Sequence, residues 1–131
     1  MQIVSLYAAL LALLFVALSV RTLRMRRRLR VAVGDGGSTE MLRAMRAHSN
    51  FAEYVPLSLL LFFLVEQGGA GALLVHGLCL SLLIGRLSHA YGLSQVDERF
   101  QFRVAGMALT LTPLVVAALS LLVAGLGKSL A

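Results

Sequence analysis

Four long apolar stretches dominate the pattern of hydrophobic and polar positions along the chain. Residues 3–20 and 104–126 carry no charge over eighteen and twenty-three positions, close to the ~20 residues that a helix needs to cross a bilayer. Residues 40–66 and 70–90 form two further hydrophobic stretches, separated by a short Gln-Gly-Gly turn at 67–69. Such a turn suits an antiparallel helix pair. The pattern predicts an all-α fold of four membrane-spanning helices.

Composition supports the same class. The 131 residues are 59% hydrophobic and 14% charged, with a mean hydropathy of +0.86. A chain of this size and composition cannot hide its apolar surface in one water-soluble core. We therefore expect an integral, multi-pass membrane protein in which residues 1–131 form a single four-helix bundle.

The first apolar stretch could also be a secretory signal peptide. Three features argue against that alternative. No Lys or Arg precedes the stretch, it exceeds the usual apolar region of about 7–15 residues, and a basic cluster follows where small residues would mark cleavage. We treat it as the first span.

Basic residues are concentrated at one side of the predicted bundle. Eight of the twelve Lys and Arg residues lie between positions 21 and 46, and Arg99 and Arg103 flank the start of the fourth span, whereas the turn at 67–69 has none. By the positive-inside rule, both basic connections are cytoplasmic and both termini lie on the opposite side, in a bacterial inner membrane. The net charge of +6 comes without an aromatic platform or a groove-reading motif, so anionic lipids are expected as partners rather than nucleic acid.

Three polar side chains interrupt the second span. Arg46, Asn50 and Glu53 lie at positions i, i+4 and i+7 of the predicted helix, so they point the same way within roughly 60° of arc. We call them the polar stripe. Ionisable groups at membrane depth are costly and usually face protein or a water-filled cavity. The stripe is therefore a candidate binding site.

Further polar residues are expected at the same depth. Arg86, His89 and Tyr91 end the third span, and Arg99 and Arg103 begin the fourth. Together with the polar stripe they would line a pocket near the cytoplasmic surface. Because arginine forks bind carboxylates bidentately and a glutamate can hold an ammonium group, the pocket suits a small, flexible molecule with two carboxylates and an amine.

Metal and nucleotide chemistry have no support in the sequence. Cys79 is the single cysteine, and no Cys/His spacing is typical of a zinc or iron–sulfur site. There is no P-loop and no dinucleotide fingerprint. The glycine-rich residues 34–38 are interpreted as a turn that ends the cytoplasmic extension of the first helix, with Ser38 or Thr39 capping the second.

The polar residues of the second, third and fourth spans fall into three motifs: Arg46-x-His48-x-Asn50-x-x-Glu53-x-x-Pro56, Arg86-x-x-His89-x-Tyr91 and Arg99-x-x-x-Arg103. Set on four short spans, they resemble the MAPEG family, whose name stands for membrane-associated proteins in eicosanoid and glutathione metabolism, in a bacterial-type form. The resemblance covers essentially the whole chain. It implies a homotrimer of four-helix bundles, with glutathione bound as co-substrate between neighbouring subunits near the cytoplasmic face.

The resemblance also implies roles for individual residues. Arg103 matches the arginine that stabilises the glutathione thiolate, which makes it the expected catalytic residue. A cation beside a thiol lowers the pKa of that thiol and raises its nucleophilic fraction. The expected contacts to glutathione are Arg46, Asn50, Glu53, Arg86, His89, Tyr91 and Arg99. The implied function is a glutathione-dependent transferase or peroxidase that acts on lipophilic electrophiles or lipid hydroperoxides.

Other functions stay open at this point. Val104 follows Arg103 where the prostaglandin-forming branch of the family has serine, which favours a general glutathione-dependent role over an eicosanoid-specific one. A small cation exporter would want a carboxylate in its first span, and this span has no acidic residue. A noncatalytic protein that keeps the family scaffold, as a regulator or an assembly partner, is the main alternative.

Several residues also have a purely structural interpretation. Arg99 and Arg103 could extend to lipid headgroups, and Glu53 could form an internal ion pair with Arg46 or Arg103. His48 points away from the polar stripe and is expected to face a neighbouring helix or the membrane interface rather than the ligand.

Two further residues lie inside spans. His76 is expected to form an interhelical hydrogen bond. Pro113 could kink the fourth span, in which case the carbonyl that it frees would bond to a neighbouring helix or to Thr110.

Overall fold

The computed structural model describes residues 2–95 and 99–129 and confirms the all-α prediction. In these residues the chain forms four helices: α1 (Ile3–Leu29), α2 (Thr39–Gln67), α3 (Ala72–Ser94) and α4 (Phe100–Ser129). Each helix is long and apolar enough to cross a membrane. The chain is therefore an integral membrane four-helix bundle.

Helix α1 continues well past the predicted span. Arginine, leucine and methionine are good helix formers, and Arg26, Arg27 and Arg28 in the last turn interact favourably with the negative end of the helix dipole. The helix ends at Arg30, which adopts a left-handed conformation with φ 54°. The expectation that the glycines at 34–38 end α1 is therefore wrong; they shape the loop that follows it.

Side chains cap the N-terminal ends of both α1 and α2. The Ser38 hydroxyl accepts a hydrogen bond from the Met41 amide at 3.3 Å, which confirms the capping prediction. At the other end of α2, the Glu66 carboxylate accepts the amides of Ile3 at 2.5 Å and Val4 at 3.2 Å. A carboxylate at a helix N-terminus satisfies free amides and favours the positive end of the dipole. The end of α2 thus holds the beginning of α1.

Helices α3 and α4 approach each other at three glycines. A β-carbon at Gly106 would lie 2.7 Å from both the Gly85 carbonyl oxygen and the His89 amide nitrogen. A β-carbon at Gly92 would lie 3.1 Å from the Arg103 amide nitrogen. Small residues permit this close backbone contact between membrane helices. The contact places the first turn of α4, with Arg103, beside the last turns of α3.

Pro113 lies inside α4, and its lack of an N–H leaves the Leu109 carbonyl without its usual helical donor. The Ser81 hydroxyl of α3 donates to that carbonyl at 2.8 Å. Thr110 instead donates to the Gly106 carbonyl at 2.8 Å. Of the two expected donors, the neighbouring helix supplies the hydrogen bond.

Both histidines that were expected to face other helices do so. The His76 Nδ1 atom lies 3.1 Å from the Tyr7 hydroxyl and links α3 to α1. The His48 Nε2 atom lies 3.0 Å from the Ser19 hydroxyl and links α2 to α1, while the His48 ring stacks on Phe15 at 4.7 Å. Each of these two histidines thus bonds to a side chain of α1.

A Gly106→Ala substitution tests the backbone contact between α3 and α4. The added methyl group overpacks against Gly85 and His89, so the free energy of unfolding should fall by about 1–3 kcal/mol. Denaturant titration in detergent, followed by circular dichroism, measures the change. The matched control is Gly77→Ala in α3, where a β-carbon meets nothing within 4 Å. Equal stability of the two variants would contradict the close contact.

Candidate functional site

The polar stripe lies on the outer face of α2. Arg46 and Glu53 are exposed, and Asn50 is half-buried. The Asn50 amide group donates to the Arg46 carbonyl at 2.9 Å, one helical turn earlier. The structure therefore brings the three residues together on one face, as the spacing predicted, and directs both charged ends away from the bundle.

Glu53 forms no ion pair with any residue in the described part of the chain. The ion pair found there joins Arg28 and Glu40 at 2.5 Å, on the exposed connection between α1 and α2. The expected alternative, an internal pair of Glu53 with Arg46 or Arg103, is absent among residues 2–95 and 99–129. The Glu53 carboxylate is therefore presented outward.

Arg86 lies inside the bundle, with 1% of its surface exposed. Its Nε donates to the Thr110 hydroxyl at 3.0 Å, and one terminal nitrogen donates to the Asn50 carbonyl at 3.3 Å. The other terminal nitrogen lies 3.5 Å from the Met107 sulfur, and the Tyr54 ring lies 5.7 Å from the guanidinium carbon. Arg86 thus contacts α2 and α4 rather than an open pocket.

His89 and Tyr91 diverge from each other. His89 is buried, and its backbone packs against Gly106. Tyr91 is exposed, and its ring packs edge-to-face on Phe102 at 5.3 Å. The structure therefore places His89 inside the bundle and leaves Tyr91 on the outside.

The two arginines at the start of α4 also differ. Arg99 is exposed and immediately precedes the helix, whereas Arg103 is half-buried in its first turn. Arg103, Met107 and Thr110 follow at i, i+4 and i+7, so they share one face of α4. That face meets Arg86, because Met107 and Thr110 both accept from its guanidinium.

Two residues in this arrangement were missed by sequence reasoning. Tyr54 supplies the ring beside Arg86, and Met107 supplies a sulfur acceptor. The sequence spacing could have identified Tyr54, because it follows Asn50 by four residues and therefore lies one turn further along nearly the same face of α2. Nothing in the sequence marks Met107 among the apolar residues of α4.

A second cluster of cations surrounds the C-terminal end of α3. The Arg21 guanidinium donates to the Ser94 hydroxyl, and the Arg43 guanidinium donates to the Gln95 carbonyl. Cations are favoured here because the last carbonyls of a helix carry partial negative charge. A cavity of about 280 Å³ lies between the three helices that meet at this point. It is lined by Arg21, Thr39, Glu40, Arg43, Ser94 and Gln95.

The sequence model of the MAPEG family matches residues 4–123. The chain is 42% identical over 106 residues to the inner membrane protein YecN of Escherichia coli K12, an alignment that covers 81% of this chain and 79% of that protein. YecN from the E. coli O6:H1 strain gives the same identity and coverage.

Proposed function

This chain belongs to the MAPEG family of multi-pass membrane proteins, and on that premise we propose that it is a glutathione-dependent transferase or peroxidase. In this proposal glutathione is the co-substrate. The second substrate is a lipophilic electrophile or a lipid hydroperoxide that reaches the site from the bilayer.

The observation that carries the proposal is the outward direction of the polar stripe. Arg46 and Glu53 are exposed on a membrane-spanning helix, where a charged side chain is costly unless protein or a polar ligand covers it. Glutathione offers carboxylates that complement Arg46 and an ammonium group that complements Glu53. We infer that a second subunit of a homotrimer closes the site, because the stripe faces away from its own bundle.

The chemistry we propose depends on the Arg103 guanidinium. A cation near the glutathione sulfur stabilises the thiolate, which is the nucleophilic form. With an electrophile, the sulfur forms a bond to carbon as the leaving group departs with the bonding electrons. With a hydroperoxide, the sulfur takes the terminal oxygen, the O–O bond breaks and the lipid alcohol leaves after protonation. A second glutathione then converts the sulfenic acid to a disulfide and water.

The distribution of basic residues supports one orientation in the membrane. The basic residues between positions 21 and 46, together with Arg99 and Arg103, lie at one end of the bundle. We propose that this end is cytoplasmic and that both termini lie on the other side. The site then opens to the compartment in which thiols are kept reduced.

Reporter fusions test this orientation. Alkaline phosphatase needs disulfides and is active only outside the cytoplasm, so a C-terminal phosphatase fusion should be active and a C-terminal green fluorescent protein fusion should be dark. Fusions made after Gly36, in the loop between α1 and α2, should show the reverse. The opposite pattern at both positions would contradict the orientation.

Isothermal titration of glutathione into the detergent-solubilised protein tests the site. The parent should bind, and an Arg46→Ala/Glu53→Ala variant should bind at least tenfold more weakly, because a hydrogen bond to a charged group contributes about 1.5–3 kcal/mol.

The matched control for this titration is Arg28→Ala/Glu40→Ala, which also removes one arginine and one glutamate but only an exposed ion pair. It should bind as the parent does. A folded parent that does not bind glutathione would rule out the proposed co-substrate and leave the noncatalytic scaffold as the better assignment.

An Arg103→Ala substitution tests the catalytic role. Loss of the cation should raise the pKa of the bound thiol by about one unit or more, so that the thiolate fraction at neutral pH falls, by up to about tenfold per unit. Ultraviolet thiolate absorbance against pH gives this shift, and turnover of a model electrophile should fall with it. Arg27→Ala, in the exposed end of α1, is the control. Full turnover by a folded Arg103→Ala variant would remove Arg103 from the mechanism.

A further inference from the structure

Arg86 is the largest side chain that is fully buried in the described part of the bundle. Its partners there are all uncharged: the Thr110 hydroxyl, the Asn50 carbonyl, the Met107 sulfur and the Tyr54 ring. A cation held inside a membrane bundle without a carboxylate is costly, and such groups usually have a functional reason.

The contacts of Arg86 connect the two halves of the candidate site. Through Asn50 and Tyr54 it holds α2, whose outer face carries the polar stripe. Through Thr110 and Met107 it holds the face of α4 that begins with Arg103. A single planar guanidinium with its donors in fixed directions can set both distances at once.

Direct contact between Arg86 and a ligand fits this geometry poorly. All three guanidinium nitrogens already have a protein partner, and 1% of the residue is exposed. Arg46 and Glu53, by contrast, are open to the outside. Arg86 therefore contacts protein, whereas Arg46 and Glu53 are the residues available to a ligand.

We propose that Arg86 is a positioning residue that sets the register of α2 against α4, so that the polar stripe and Arg103 reach the same thiol. The role at the thiol rests on the proposed glutathione site, whereas the register is a property of the bundle alone. This assignment replaces the expected contact between Arg86 and glutathione.

The contacts of Arg86 with α2 and α4 are here called the clamp. Two substitutions, Arg86→Met and Thr110→Val, remove it and leave few other polar groups without a hydrogen-bond partner. Arg86→Met keeps the length of the side chain and its apolar stem. Thr110→Val removes only the acceptor for the Arg86 Nε, because the Thr110 hydroxyl otherwise donates within α4 to Gly106. Arg86→Lys keeps the charge but lacks the planar fork. Because the clamp needs the fork, Arg86→Lys should behave more like Arg86→Met than like the parent.

The first experiment is a double-mutant-type cycle, in which isothermal titration measures the affinity of the parent and of each variant for three ligands. The ligands are glutathione, its glycine ethyl ester, and an analogue without the γ-glutamyl carboxylate. A positioning residue should weaken all three by the same factor, about tenfold for Arg86→Met, because independent changes are additive. A loss that disappears with one analogue would show that Arg86 touches the missing carboxylate, and would overturn the proposal.

The second experiment measures the register without any ligand. Spin labels at Leu57→Cys in α2 and Leu111→Cys in α4, both exposed positions, report the distance between the helices. The background carries Cys79→Ala, and unlabelled protein is added in excess so that only distances within one chain are seen. Arg86→Met should broaden or shift the distance distribution, and Thr110→Val should change it in the same direction.

The control for the spin-label measurement is Leu87→Met, at an exposed neighbour of Arg86 on α3, which should leave the distribution unchanged. An unchanged distribution in Arg86→Met would overturn the register role. If the parent binds no glutathione but Arg86→Met still alters the distribution, the proposed co-substrate fails and the register role stands.

Discussion

Backbone contact between α3 and α4 is the constraint on which the interior of the bundle depends. Gly85 and Gly106 have no β-carbons, so the two helices meet at their main chains. At that separation the Thr110 hydroxyl comes within reach of the Arg86 guanidinium. Side chains larger than hydrogen at the two glycines would push α4 outward and break that hydrogen bond. The position of the buried cation therefore follows from two residues that carry no polar group at all.

Polar groups in this bundle fall into two classes with different physical solutions. Inside, some polar side chains are paired with a neutral group on another helix, as His76 is with Tyr7 and Ser81 with the Leu109 carbonyl, and others bond within their own helix, as Ser58 does to the Tyr54 carbonyl. Outside, Arg46 and Glu53 present full charges on α2. Neutral pairs of the first class are satisfied within the bundle, whereas a charge on the outer face of a membrane helix is costly unless a polar environment surrounds it. Arg86 is thus held by uncharged groups inside the chain, whereas Arg46 and Glu53 are exposed on its surface.

The sequence predicted the fold well because length and composition determine which segments cross a membrane. The cap at Ser38 and the turn at 67–69 also followed from local rules. The end of α1 did not, because its extension was expected to reach the glycines at 34–38, whereas the helix ends at Arg30 in a left-handed conformation. Burial of Arg86 could not be predicted either, since a helical wheel gives relative directions and not the neighbour that each face meets. The roles of the individual site residues at glutathione stay predictions.

The hydrogen bond from Ser81 to the Leu109 carbonyl has a consequence for how related sequences can diverge. Pro113 creates the need for a donor, and Ser81 meets it from another helix. If a residue with an N–H replaced Pro113, that N–H would donate to the Leu109 carbonyl within α4. Ser81 could then be replaced by alanine without loss of a hydrogen bond to that carbonyl. If the serine were lost first, the proline would leave an unsatisfied carbonyl in the bilayer. Substitution of Pro113 is therefore expected to precede substitution of Ser81.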